Sequence, residues 1–179
     1  MESITIHDKK FRLRISSDEI GKAVDILAMQ INDDLEGREV VFIAVLNGSF
    51  IFAADLLKKI RFNCRISFVK FASYDGLENS GQLNQLIGVN EKLEGKTVVI
   101  IEDIVDSGNT LSKLIEEIRK FRPAEIKKVA LLFKPDAYKY PCKIDYTGFR
   151  IPNDFVVGYG LDYDGLGRNL DGIYSLAEE

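Results

Sequence analysis

The residues best suited to chemistry lie together between Val98 and Thr110, in the run VVIIEDIVDSGNT. A short apolar stretch, Val98–Ile101, leads straight into Glu102 and Asp103. It continues through Ile104 and Val105 to Asp106-Ser107-Gly108-Asn109-Thr110, where a helical pattern begins. In open α/β sheets, ligands bind beyond the carboxyl ends of the strands, which is where a buried strand delivers these acids. Two adjacent carboxylates there can accept hydrogen bonds from a vicinal diol such as the 2′ and 3′ hydroxyls of a ribose. They can also draw in a hard cation such as magnesium. The loop beyond them is built of small and hydroxyl-bearing residues at a helix start. Its N–H groups and the positive end of the helix dipole favour a phosphate. Ser107 and Thr110 add hydroxyl donors, and Gly108 lets the backbone come close. Diol acceptors and a phosphate cradle this near each other match a ribose 5-phosphate. The plainer alternative makes Asp106 a helix cap and Glu102-Asp103 ordinary exposed acids. The combination of strand-end acids with this loop favours the binding site. The sequence has no GxxxxGK[ST] and no GxGxxG, which argues against a P-loop and a dinucleotide site.

Those groups need strands and helices to hold them. Ser16 and Glu19 have capping-box spacing, and Ile20, Val24, Leu27, Ile31 and Leu35 recur at helical intervals. Val40–Leu46 is apolar and β-branched, as expected of a strand buried on both faces of a parallel sheet. A turn at Asn47-Gly48-Ser49 precedes a helical pattern over Phe50–Ile60. Arg65–Phe71, Thr97–Ile101 and Ile126–Phe133 read as further strands, and Thr110–Phe121 as a helix. Strands alternating with helices predict an α/β fold, a central mainly parallel sheet flanked by helices. After Lys134 the prolines at 135, 141 and 152, the tyrosines and short apolar runs such as Phe155–Gly160 predict a small β-rich cap. Ala72–Leu86 is polar, rich in Gly, Ser and Asn, and has no apolar period. On composition it fits either a functional lid or a plain surface loop.

The whole chain sets outer bounds. Its 179 residues suit one domain, 1–179, with a substantial core. The balance of 24 basic and 28 acidic residues leaves a net charge of −4 and no bulk attraction for nucleic acid or an anionic membrane. Two cysteines without a CxxC suggest reduced thiols rather than a disulfide framework or a zinc site. No apolar signal-peptide core opens the chain. Val40–Leu57 is interrupted by Asn47, Gly48, Ser49 and Asp55, so a cytoplasmic location is expected. His7 is the sole histidine, in an N-terminus expected to be loose, which leaves little scope for histidine chemistry.

The Val98–Thr110 segment resembles the 5-phosphoribosyl 1-pyrophosphate motif of the type I phosphoribosyltransferases, a hydrophobic strand leading to two acids and a D-[ST]-G-x-T loop. The resemblance implies that Glu102 and Asp103 hold the ribose hydroxyls and that Asp106, Ser107, Gly108, Asn109 and Thr110 bind the 5-phosphate. Three further segments are similar to the hypoxanthine–guanine branch, and together the likeness covers most of the chain from about Val40 onward. Leu46-Asn47-Gly48 resembles the pyrophosphate-binding loop, whose backbone often holds a cis peptide. Many relatives carry Lys at the position of Asn47. Ser73-Tyr74, opening a segment of about 72–86, resembles the mobile loop that closes over the site and keeps water from an oxocarbenium-like centre. Lys134 and Phe155–Arg168 resemble the base and pyrophosphate contacts, within a cap of about 135–179. Lys134 would donate to the exocyclic oxygen at C6, Phe155 would stack on the purine, and Val156 would read its edge. Asp162 would help to place magnesium, with Glu102 and Asp103, and Arg168 would grip the pyrophosphate.

The resemblance implies purine salvage as the activity. The phosphoribosyl group would pass to N9 of hypoxanthine, and of guanine, to give IMP or GMP and pyrophosphate. Asp106 is the implied general base, magnesium the implied cofactor, and a homodimer or homotetramer the implied assembly. A xanthine-preferring enzyme would depend on the pocket near Val156 and Asp162. A non-catalytic nucleotide sensor with the same fold is disfavoured by the acidic balance and the intact Asp106.

Overall fold

The computed structural model describes residues 3–72, 84–87, 91–141 and 143–177, with no side-chain placement at 71–72 and 84–87. The chain runs through β1 (Ser3–Ile6), β2 (Lys9–Ile15), α1 (Ser17–Leu35), β3 (Val40–Leu46), α2 (Phe50–Leu57), β4 (Cys64–Ala72) and β5 (Asn84–Ile87). It continues through β6 (Thr97–Val105), α3 (Asn109–Arg119), β7 (Glu125–Phe133), β8 (Tyr146–Arg150), β9 (Val156–Val157) and β10 (Ile173–Leu176). The main sheet has the order β5-β4-β3-β6-β7-β8. Every pairing from β4 to β8 is parallel, and only the edge strand β5 is antiparallel.

Both faces of this sheet are covered, which explains the unbroken apolar runs of its strands. On one face Val40, Phe42, Ala44, Val99 and Ile101 pack against Ile20, Val24, Leu27 and Ile31 of α1 and Phe52 and Leu56 of α2. On the other, Val41, Ile43, Val98 and Ile100 meet Leu111, Leu114, Ile115 and Ile118 of α3. The start of α1 is fixed by the expected capping box. Ser16 Oγ accepts from the Glu19 N–H at 3.3 Å, and Glu19 Oε2 accepts from the Ser16 N–H at 2.9 Å.

Three features differ from the sequence reading. From Ser3 onward the N-terminal segment is not loose. Apolar residues alternating through Lys9–Ile15 place Phe11 and Ile15 in the core, and β2 pairs with both β1 and β10. A second, antiparallel sheet of order β1-β2-β10-β9 results, so the small sheet draws as much on the N-terminus as on the C-terminal segment. His7 sits in the β1–β2 turn at φ 52°, edge-on to Tyr163 with ring centroids 5.6 Å apart. Secondly, β8 lies within the segment assigned to the cap but joins the main sheet beside β7. Thirdly, Asn84–Ile87, within and just past the expected structureless stretch, pairs with β4. Ser73 and Tyr74 lie outside the described residues. Among those described, no helix is long and apolar enough to cross a membrane.

Candidate active site

Strand β6 continues four residues beyond the expected Ile101 to Val105, so Glu102 and Asp103 are strand residues rather than loop residues. Strand alternation therefore sends them to opposite faces of the sheet. Glu102 follows Val98 and Ile100 toward the α3 side and is buried. Burial, reinforced by repulsion from Asp103, raises its pKa well above the ordinary carboxylate range. Asp103 follows Val99 and Ile101 to the other face and lines a cavity of about 380 Å³ at the carboxyl ends of β3, β6 and β7. Burial pushes its pKa up to about 6. The Ile104 N–H, donating to Asp103 Oδ1 at 2.9 Å, and the Arg168 charge oppose that rise, while the Asp162 charge adds to it.

The turn after β3 and the loop after β9 interlock around Asp103. The Leu46–Asn47 peptide is cis, and Ser49 Oγ donates to the Val45 carbonyl at 2.6 Å. A Cβ on Gly48 would overlap the Asp103 carboxylate, and a Cβ on Gly160, at φ 103°, would overlap the Gly48 carbonyl. Only residues without a side chain allow this three-layer approach. Arg168 fastens the far side, with Nη1 donating to the Gly160 carbonyl at 2.6 Å and Nη2 lying 2.6 Å from Asp162 Oδ1. Asp162 Oδ2 accepts from the Gly165 N–H at 2.8 Å.

Asp106 ends the acidic run, half-exposed, and Lys134 Nζ donates to its Oδ2 at 2.8 Å. Lys134 is 7% exposed, so it is a buried cation held at the strand end rather than a solvated one. Across the cavity Phe155 is 45% exposed, and its ring is braced by Phe11 at 6.2 Å and Tyr163 at 5.8 Å. Val156, the first residue of β9, is buried beside it. The loop after β6 continues from Asp106 to the start of α3, where Gly108 takes φ 82° and the N-cap makes no side-chain hydrogen bond.

The cavity wall thus brings together Leu46, Asn47, Gly48, Asp103, Asp106, Lys134, Phe155, Val156, Asp162 and Arg168. Ser107, Gly108, Asn109 and Thr110 adjoin it through the loop but do not line it, and Glu102 lies behind it on the opposite face. Among the described residues, no group of three or more His, Cys, Asp or Glu side chains is placed to hold a metal, so Glu102, Asp103 and Asp162 do not form one cage.

Residues 16–164 match the family described as Phosphoribosyl transferase domain. The chain belongs to the phosphoribosyltransferase family. A hypoxanthine-guanine phosphoribosyltransferase of Streptococcus pneumoniae strain R6 is 38% identical over 169 residues, covering 94% of this chain and 94% of its own length. A bifunctional TilS/HprT protein of Listeria innocua is 39% identical over 98% of this chain, which spans only 27% of that longer protein. The crystal structure of a hypoxanthine-guanine phosphoribosyltransferase from Bacillus anthracis, with a HEPES molecule in its active site, superposes with a TM-score of 0.86. It is 40% identical, over 93% of this chain and 97% of the other.

Several contributors to this phosphoribosyltransferase site were missed in the sequence reading. Phe11, fully buried under Phe155, could have been found from the alternation in KKFRLRI. Tyr163 has no comparable local signal, because its contacts to His7, Phe11 and Phe155 exist only once the two chain ends share a sheet. Tyr138 and Tyr140, whose rings close on Gly108, were likewise hidden in an irregular stretch.

Proposed function

We propose that the chain transfers the 5-phosphoribosyl group from 5-phosphoribosyl 1-pyrophosphate to N9 of hypoxanthine and guanine. The observation that carries this reading is one cavity at the strand ends. It joins Asp103 and Asp106, the pyrophosphate turn Leu46-Asn47-Gly48, Lys134, Phe155 and Arg168. In this reading Asp103 accepts from a ribose hydroxyl, with Glu102 behind it, and the N–H groups and hydroxyls of Ser107–Thr110 take the 5-phosphate. Phe155 stacks on the purine, and Val156 reads its edge through the backbone.

Lys134 serves the reaction twice. It holds the Asp106 carboxylate at the cavity wall, and it offers its ammonium to the oxygen at C6. Adenine, with an amino group there, cannot accept that hydrogen bond. As N9 attacks C1 of the ribose, the C1–oxygen bond to pyrophosphate breaks and Asp106 takes the proton from N7. Arg168 and the N–H groups after Leu46 meet the charge that grows on the leaving pyrophosphate. The donor set on this wall also fits magnesium. Asp103 and Asp162 are hard oxygen ligands close enough for the Asp162 charge to raise the Asp103 pKa. Magnesium usually takes one or two carboxylates with waters and substrate phosphates rather than a full protein cage. When bound, it supplies positive charge to the pyrophosphate. The lid role of Ser73-Tyr74, a cytoplasmic location and a homodimer or homotetramer rest on the family resemblance. Sedimentation velocity checks the assembly.

Product analysis tests the reading. Hypoxanthine incubated with 5-phosphoribosyl 1-pyrophosphate and magnesium should give IMP by mass and ultraviolet spectrum, with one pyrophosphate per IMP. Unconsumed hypoxanthine at micromolar enzyme overturns it.

A further inference from the structure

Parallel strands β7 and β8 need a crossover, and the described residues of it, 134–141 and 143–145, are irregular rather than helical. This stretch crosses directly over the loop that receives the 5-phosphate. The Lys139 N–H donates to the Ser107 carbonyl at 3.2 Å. Tyr140 Oη donates to Asn109 Oδ1 at 3.0 Å. The Tyr138 ring packs edge-on against Phe133 at 5.3 Å and lies 6.3 Å from the Tyr140 ring. Both rings close on Gly108. A Cβ at that residue would overlap Tyr138 and would stand 2.9 Å from Tyr140 Cδ2.

We propose that Tyr138 and Tyr140 are positioning residues that clamp the 5-phosphate loop in its phosphate-receiving form. The proposal deepens the reading of this site as a phosphoribosyl site and rests on it. The physical need is specific. Gly108 stands at φ 82° as the N-cap of α3 and has no side chain with which to cap it. Ser107 Oγ lies a long 3.4 Å from the Asn109 nitrogen, a weak substitute. The open helix start leaves its donors to an anion, and the same openness deprives the loop of its usual anchor. Glycine in a left-handed conformation adds backbone freedom. The crossover supplies the anchor from outside, through one main-chain hydrogen bond, one side-chain hydrogen bond and two rings against the glycine. Both hydrogen bonds end on oxygens of the loop, so they hold it without consuming any of its N–H groups. The two tyrosines thus act on phosphate through Ser107, Gly108 and Asn109.

The test compares Tyr140→Phe, which removes one hydroxyl, with Tyr138→Ala, which removes one ring, and Tyr138→Phe, which keeps the ring. Two quantities are read: the dissociation constant of ribose 5-phosphate by calorimetry, and the KM values of both substrates. Tyr140→Phe should raise the ribose 5-phosphate constant and the KM of the phosphoribosyl donor about threefold to tenfold, as expected for one hydrogen bond. Tyr138→Ala should raise both by about tenfold or more, and Tyr138→Phe should recover most of that loss. The KM of hypoxanthine should stay within about twofold throughout. Unchanged ribose 5-phosphate affinity in Tyr140→Phe and Tyr138→Ala overturns the clamp, even if their melting temperatures fall. Equal rises in both KM values overturn it too, since a general loss of structure would produce that. A wild type that binds ribose 5-phosphate but releases no pyrophosphate would instead defeat the reaction assignment and leave the clamp standing on its binding data.

Discussion

The two halves of the cavity are built in different ways. The half proposed to take the phosphoribosyl group comes from one continuous strand, loop and helix, Thr97–Arg119, and its groups are neighbours in sequence as well as in space. The half proposed to take the purine is assembled from Lys134 at the end of β7, Phe155 and Val156 beside β9, and Phe11 on β2, residues spread over most of the chain and over both sheets. A contiguous half is specified by local chemistry and reads as a motif. An assembled half exists only after two sheets have formed and met, so its geometry depends on packing remote from the ligand. Mutations should therefore separate: changes in the contiguous half act on the ribose phosphate or the chemical step, and changes in the assembled half act on the base.

The largest effect sharpens the contiguous side. Asp106→Asn keeps the size of the side chain and removes the proposed proton acceptor. Turnover should fall by more than tenfold, toward the ~10²–10⁴ range of general base catalysis, with the affinity for the phosphoribosyl donor largely unchanged in direct binding. Unchanged turnover removes Asp106 from the base role. Phe11→Ala tests the assembled side from a distance. Emptying this fully buried position should cost roughly 3–5 kcal/mol of stability in chemical denaturation. In the protein that remains folded, loss of the brace under Phe155 should raise the KM of hypoxanthine several-fold and leave that of the phosphoribosyl donor within about twofold. A rise confined to the second substrate would break the comparison. Gly160→Ala strikes the seam, where the loop after β9 lies on Gly48 and Asp103. It should raise both KM values together, because no side chain fits between those backbones. Selectivity is read in Lys134→Ala, which should weaken discrimination against adenine by about tenfold; equal rejection would place selectivity elsewhere.

The same contrast explains what the sequence made legible. Val40–Leu46 appears with the expected bounds, and α1 starts at the capping box, because an apolar run and two hydrogen-bonding side chains are local signals. The strand bearing the acids was expected to stop at Ile101. Glu102 and Asp103 are poor strand formers by composition, and only pairing with β7 through Phe133 carries β6 on to Val105. That extension sends the two acids to opposite faces, which a loop reading could not show. The small sheet was expected from the C-terminal segment alone. Half of it comes from β1 and β2, because joining the two chain ends is a non-local event with no signature in either segment. Lys134 was found by resemblance, but its ion pair with Asp106 depends on two neighbouring strands ending level, with the Lys134 N–H donating to the Val105 carbonyl at 2.9 Å.

The proposed function requires one cavity to join a ribose-phosphate site to a 6-oxopurine site. Initial rates of pyrophosphate release with hypoxanthine, guanine, xanthine and adenine, each with and without magnesium, test it most directly. Magnesium-dependent release with hypoxanthine and guanine, and release with adenine lower by at least about a hundredfold, is the result the geometry around Lys134 predicts. Adenine used as well as hypoxanthine, or no release with any of the four bases, would contradict it.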